Sequence, residues 1–216
     1  MKLLFALLLA LPTLAQAAPF TAPDKVQGSQ YLFRGAQPLG HVDTLKSSAI
    51  DEVLIFKQDT RGEVVREIAE LKEAGYSESQ IHHVPMKWKE IDITEACGHT
   101  IKALQVLMKA EREGTSTFFH CTAGEDRTGM VAGLARMLLT HETGEAVFDE
   151  EMCANGYSDG NPNKPSTVTG AIEQGLTPLF FALAEKIEAG DISTENLLPA
   201  ICEKIEVKPV VRKCNP

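Results

Sequence analysis

The segment HCTAGEDRTG, His120 to Gly129, sets a cysteine, two glycines, two acids, an arginine and two threonines within ten residues. It lies between two apolar runs, STFFHC (Ser116 to Cys121) and MVAGLARMLL (Met130 to Leu139). That order reads as a buried strand, a tight loop and a helix that opens near Arg127. A glycine-containing turn of this kind points several backbone N–H groups into one concavity. Such a nest holds a tetrahedral anion, and the helix N-terminus adds its partial positive charge. Thr122, Ala123, Gly124, Glu125 and Asp126 would supply those N–H groups, with both acidic side chains turned outward. Arg127 can place two parallel hydrogen bonds on phosphate oxygens.

Cys121 would stand at the loop entrance, beneath the anion. The same N–H groups and helix dipole would stabilise its thiolate and lower its pKa. A thiolate facing a bound phosphate is a nucleophile placed for phosphoryl transfer. Thr128 can donate its hydroxyl to the sulfur and help it leave in a second step. The plainer reading is a small buried cysteine before a helix cap. Gly124, Arg127 and Thr128 at these offsets argue against it.

The elements that must position this loop alternate along the chain. SQYLFRG (Ser29 to Gly35), DEVLIFK (Asp51 to Lys57), IHHVPM (Ile81 to Met86) and STFFHC read as strands. EVVREIAELKEAG (Glu63 to Gly75) has Val64, Ile68 and Leu71 at helical spacing and a glycine stop. A long helix carries Ile101, Leu104, Leu107 and Met108 on one face, and helical patterns recur near 127–141, 144–155 and 176–189. GYSDGNPNKPS is a loop by its Gly, Asn and Pro content. The expected fold class is α/β, with a central, mostly parallel sheet flanked by helices. Ligands of such sheets bind outside the carboxyl ends of the strands, which is where HCTAGEDRTG falls.

His120-Cys121, five residues, then Arg127-Thr128-Gly129 resembles the signature of the cysteine-dependent protein tyrosine phosphatase superfamily. FRGAQP, Phe33 to Pro38, resembles a segment near the start of compact bacterial members. The resemblance spans roughly Tyr31 to Tyr157. It implies a protein tyrosine phosphatase-like fold, a phosphocysteine intermediate, catalytic roles for His120, Cys121, Arg127 and Thr128, and no metal or organic cofactor. It also implies one aspartate, some thirty residues before the cysteine, that protonates the leaving oxygen and later activates water. In this chain that loop is PMKWKEIDITEACG. Asp92, 29 residues before Cys121 by position, is the expected acid; Glu90 is the runner-up. The lesser alternative for Asp92 is the cap of a helix opening at Ile93, a place Thr94 could also take. Lipid-directed relatives often carry a lysine where Glu125 stands, so two acids inside the loop are a departure.

Lys57, Lys87 and Lys89, with Arg34 and Arg61, are the basic residues expected near the site. Around a highly phosphorylated ligand they would act as point charges on its rim. With this loop and an export signal the chain resembles the secreted, phytate-degrading branch, which implies inositol hexakisphosphate and related polyphosphates as the expected substrates. The alternative is a phosphotyrosine or dual-specificity phosphatase acting on a phosphoprotein. A phospho-ligand binder without turnover would be expected to lack the cysteine or arginine, and both are present. A thiol redox protein would be expected to set a resolving cysteine beside Cys121, and none adjoins it.

The chain has 216 residues and a formal charge of −9. That length suits one domain with a sizeable core. The charge argues against nucleic acid or an anionic membrane surface as partner. MKLLFALLLALPTLAQA reads as a secretory signal, residues 1–17, leaving 18–216 as a single domain. Its apolar run, Leu3 to Leu11, is shorter than the roughly 18 residues a membrane span needs. The expected product is exported, periplasmic or secreted from a bacterium. Five cysteines in an oxidising compartment leave at least one free thiol. Cys202 with Cys214, and Cys97 with Cys153, are the pairings their positions first bring to mind, among three possible for four cysteines.

Overall fold

The computed structural model describes residue 20 and residues 22–214; the expected signal segment, 1–17, lies outside them. Five strands, β1 (Asp24–Lys25), β2 (Leu32–Gly35), β3 (Glu52–Ile55), β4 (Ile81–His83) and β5 (Thr117–His120), form one sheet in the order β1-β2-β5-β3-β4. β1 is antiparallel to β2 and every other pairing is parallel. The helices are α1 (Val42–Ser47), α2 (Glu63–Glu73), α3 (Ile93–Glu113), α4 (Asp126–Thr140), α5 (Gly144–Val147), α6 (Ser166–Gln174) and α7 (Leu176–Glu188). The expected α/β class with a mostly parallel sheet is what forms.

The register aligns the carboxyl ends. Gly35 and Ile55 both stand opposite His120, and Ile55 stands opposite His83. The segments leaving β2, β3, β4 and β5 therefore emerge at one edge of the sheet. β5 is central and buried on both faces. Its side chains alternate, as strand geometry requires. Phe119 and Cys121 enter a core shared with α3, α4 and α7, while Phe118 enters a second core beneath α1 and α2.

α4 is buried from Arg127 to Leu138, so it is apolar nearly all round and has no polar face to read as amphipathic. The helical pattern at 144–155 resolves into α5, a π turn (Phe148–Met152) and a 3₁₀ turn (Cys153–Asn155). α1 and α6 were not expected. α6 has the sequence STVTGAIEQ, whose β-branched residues and glycine are weak helix formers, and packing against α7 holds it. No helix of the described residues is long and apolar enough to cross a membrane.

The cysteine pairs differ from the expectation. Cys97 bonds to Cys202 and Cys153 to Cys214, leaving Cys121 free. The reason is packing across the chain. The 3₁₀ turn Pro199–Lys204 lies on α3, which delivers Cys202 to Cys97. The following extended segment runs on until the N–H of Cys214 donates to the carbonyl of Asp159, close to Cys153.

Candidate active site

β5 ends at His120, and the chain turns through 121–125 into α4. Gly124 has φ +78°, and a Cβ there would lie 2.4 Å from the carbonyl carbon and oxygen of Gly35. Backbone cannot yield to that contact, so the loop needs glycine at this point. The loop is braced from both sides. The N–H of Gln37 donates to the Thr122 carbonyl at 3.1 Å. The buried Arg34 guanidinium donates to the Gly124 carbonyl at 2.7 Å and pairs with Glu151 at 2.6 Å. Arg34, expected at the pocket rim, therefore holds the loop's shape.

A cavity of about 310 Å³ opens over this loop, lined by Trp88, Cys121, Thr122, Ala123, Asp126, Arg127 and Val168. The Arg127 guanidinium is nearly buried. It donates to the carbonyls of Met86 at 3.1 Å and Phe56 at 3.4 Å, beyond the ends of β4 and β3, and to the Thr122 hydroxyl at 3.3 Å. Its Nε is buried with no partner among the described residues. These bonds fix the fork at the cavity that Cys121 also lines and keep donor capacity for an anion.

Burial pushes the Cys121 thiol up. The Arg127 charge, with the hydroxyl and N–H of Thr128, outweighs it, and the thiol ends below its ordinary pKa. The opposing charge is Asp126. This environment favours a thiolate nucleophile.

The two acids of the loop are both occupied. Glu125 meets Lys164 at 2.5 Å, and Asp126 accepts from the Ser158 N–H at 2.9 Å. Both partners come from the segment 156–165, the loop legible as GYSDGNPNKPS. Burial raises the Asp126 pKa; Ser158 opposes that, and Glu125 adds to it. The carboxyl lining the cavity is thus the one that holds its proton to higher pH than an ordinary aspartate.

Asp92 sits elsewhere. It is the exposed N-cap of α3, with Oδ1 accepting from the Glu95 N–H at 2.8 Å. It lines a small crevice with Lys87, Ile91, Glu95, Ala96 and His99. Glu90, the runner-up, is exposed at φ +51° and lines a neighbouring groove. The lysines are also spoken for. Lys57 is buried, bonded to Gln37 at 3.0 Å and Glu63 at 3.1 Å. Lys87 pairs with Glu95 at 3.1 Å, and Lys89 lies 3.7 Å from Glu90 in the groove next to the cavity. None of the three lines the cavity over Cys121, because each finds a carboxylate nearer at hand. Arg61 is exposed.

His120 is buried on the opposite face from Cys121. Its Nδ1 faces the Cys121 carbonyl at 2.8 Å and its Nε2 faces Glu67 Oε1 at 2.6 Å. Glu67, Gln37, Lys164, Ser158 and Val168 had no assigned role from sequence. Only Glu67 carries a local signal: with Val64 and Leu71 it lies on the buried stripe of α2, where a carboxylate is out of place. A further cavity, about 700 Å³, lies away from this site, against Val211 to Cys214; its cations Arg212 and Lys213 pair with Asp149 and Glu173.

A family model described as the tyrosine phosphatase family matches residues 31–167. No curated protein matches the chain. Among solved structures, the core catalytic domain of the PP-IP phosphatase SIW14 from S. cerevisiae is 19% identical, with a TM-score of 0.54 over 85% of this chain and 98% of that one. Tk-PTP in its active form is 15% identical, with a TM-score of 0.54 over 78% and 97%. PTPMT1 is 15% identical, with a TM-score of 0.52 over 78% and 98%. At these identities the likeness is one of fold.

Proposed function

Because the chain belongs to the tyrosine phosphatase family, we propose that it hydrolyses phosphomonoesters through a phosphocysteine on Cys121. The observation that carries this reading is the pairing of a thiol of lowered pKa with a fixed Arg127 fork at the floor of one cavity. Cys121 Sγ attacks phosphorus, an S–P bond forms and the ester P–O bond breaks. The leaving oxygen takes a proton from Asp126, the carboxyl at the cavity wall. Water then attacks phosphorus and gives its proton to Asp126, the S–P bond breaks, and the Thr128 hydroxyl supports the departing thiolate. Asp92 could replace Asp126 in these steps only if its loop left the α3 cap.

The substrate class follows from the walls. Trp88 and Val168 flank the cavity, and among the described residues no lysine lines it. That favours one seated phosphate and a flat, largely apolar leaving group, as in an aryl phosphate such as phosphotyrosine. Inositol polyphosphates are the second reading. It draws on the adjoining groove of about 510 Å³, where Lys89 faces Ser166 and Thr167 of α6. SIW14, the PP-IP phosphatase of similar fold, supports the same reading. Export completes the proposal: two disulfides suit an oxidising compartment, as does the signal read at 1–17.

Phosphate release from p-nitrophenyl phosphate, a phosphotyrosine peptide and inositol hexakisphosphate tests the choice. The account expects kcat/KM for the peptide to exceed that for the inositol phosphate. The reverse order would move the assignment to polyphosphates, and no release from any of the three would remove the phosphatase reading.

A further inference from the structure

Beneath the phosphate loop, on the face of the sheet opposite Cys121, two ionisable side chains are wholly buried against each other. His120 follows Phe118 by two residues on β5, so both point toward α2; their rings stack at 5.5 Å. Glu67 comes down from α2 to meet the imidazole at 2.6 Å. Neither His120 Nε2 nor Glu67 Oε1 has a hydrogen bond of regular geometry among the described residues, so the short charged contact between them is what answers both atoms. The other carboxylate oxygen accepts from Gln37 Nε2 at 2.8 Å, and Gln37 Oε1 accepts from Lys57 Nζ at 3.0 Å. Gln37 also holds the Thr122 carbonyl through its own N–H.

The proton count follows from these contacts. A carbonyl only accepts, so Nδ1, 2.8 Å from the Cys121 carbonyl, carries a hydrogen. A carboxylate oxygen also accepts, so Nε2 at 2.6 Å needs a proton between the two atoms. A doubly protonated imidazole satisfies both contacts. Burial alone would drive that proton off; the Glu67 charge and hydrogen bond outweigh it, helped by the Cys121 carbonyl and thiolate, and the His120 pKa rises.

We propose that Glu67 is a positioning residue for the phosphatase reaction, holding His120 as a cation behind the phosphate loop so that the loop's shape and the Cys121 thiolate are both sustained. This rests on Cys121 being the nucleophile. It gives the strand residue before the cysteine a stated task and makes α2 part of the machinery. The groups acting on the pair are Gln37 from the β2–α1 segment, Lys57 from the end of β3 with Glu63 behind it, and Cys121 itself. On the far side the sulfur faces Arg127, Thr128 and Asp126.

The test follows the rate of Cys121 alkylation by iodoacetamide against pH, in the native protein and in Glu67→Gln. Glutamine keeps the shape and removes the charge. The expected result is a midpoint raised by about one unit, which is about tenfold less thiolate in the acidic range. An unchanged midpoint in a folded variant overturns the proposal. Nitrogen NMR of the His120 ring in the unsubstituted protein decides the matter independently of the variant's folding. Both ring nitrogens protonated at neutral pH supports it; a neutral ring overturns it. Neither readout needs turnover. If alkylation of Cys121 left p-nitrophenyl phosphate hydrolysis intact, the phosphocysteine reading would fall while the state of the pair was still measured.

Discussion

Lys164 reaches across from the segment before α6 to place its ammonium 2.5 Å from the Glu125 carboxylate. The contact joins the segment leading into α6, whose Val168 lines the cavity, to the loop proposed to bind the phosphate, and it offsets an acid of that loop. Lys164→Met should therefore raise KM by about two- to fivefold with kcat little changed, the range expected for a partly exposed ion pair. The effect should shrink as salt is raised. Steady-state kinetics at two ionic strengths checks this. A fall in kcat at constant KM would mean the pair shapes the transition state instead.

The proton donor is tested by two parallel variants. Asp126→Asn should cut kcat by about 10²–10⁴-fold on an alkyl phosphate. It should cut it less on p-nitrophenyl phosphate, whose leaving group needs little protonation. Thiolate formation at a lowered pKa gives the acid limb. Loss of the Asp126 proton at a raised pKa gives the alkaline limb, which Asp126→Asn removes. Asp92→Asn should keep kcat and lose about 1 kcal/mol of stability or less, as a cap does. A leaving-group-dependent loss in Asp92→Asn, with Asp126→Asn active, would restore Asp92 as the acid.

Arg34 and Glu151 form a buried pair whose second task is to hold the Gly124 carbonyl. Arg34→Met strands the carboxylate and should cost about 3–5 kcal/mol. Arg34→Met with Glu151→Gln should recover much of that stability, yet remain slow, because the loop carbonyl is still released. Chemical denaturation alongside kinetics separates the two tasks.

What was legible in the sequence is what is contiguous. Strand, nest, fork and helix opening lie within His120 to Gly129, and local chemistry specifies them without knowledge of the fold. The alternation of β5, α2 and α3 was legible for the same reason. The rest depends on which surfaces meet. Lys57 reads like any basic residue near a strand end, and only the alignment of β2 and β3 on either side of β5 brings it to Gln37. Ser158 and Lys164 lie in a polar loop with no period, so nothing local says that they answer Asp126 and Glu125. The cysteines show the same limit: nearness in sequence favoured Cys202 with Cys214, while the packing of the 3₁₀ turn on α3 chose Cys97.

The second disulfide carries a prediction of its own. Cys153–Cys214 closes a separation of 61 residues and anchors the tail to the carbonyl of Asp159, one residue past Ser158. Replacing both cysteines by alanine should lower stability by about 2–4 kcal/mol. Thermal unfolding of that variant beside the parent checks it, and an unchanged Tm would mean the tail contributes nothing to the fold.

Acid-quenched mass spectrometry during turnover of p-nitrophenyl phosphate decides whether Cys121 carries the phosphoryl group. The account predicts one phosphoryl group on the peptide containing Cys121. In Cys121→Ser it predicts no phosphopeptide and no turnover, with phosphate still bound in the nest. Undiminished hydrolysis by Cys121→Ser, or phosphate transfer to another residue, would contradict the phosphocysteine mechanism outright.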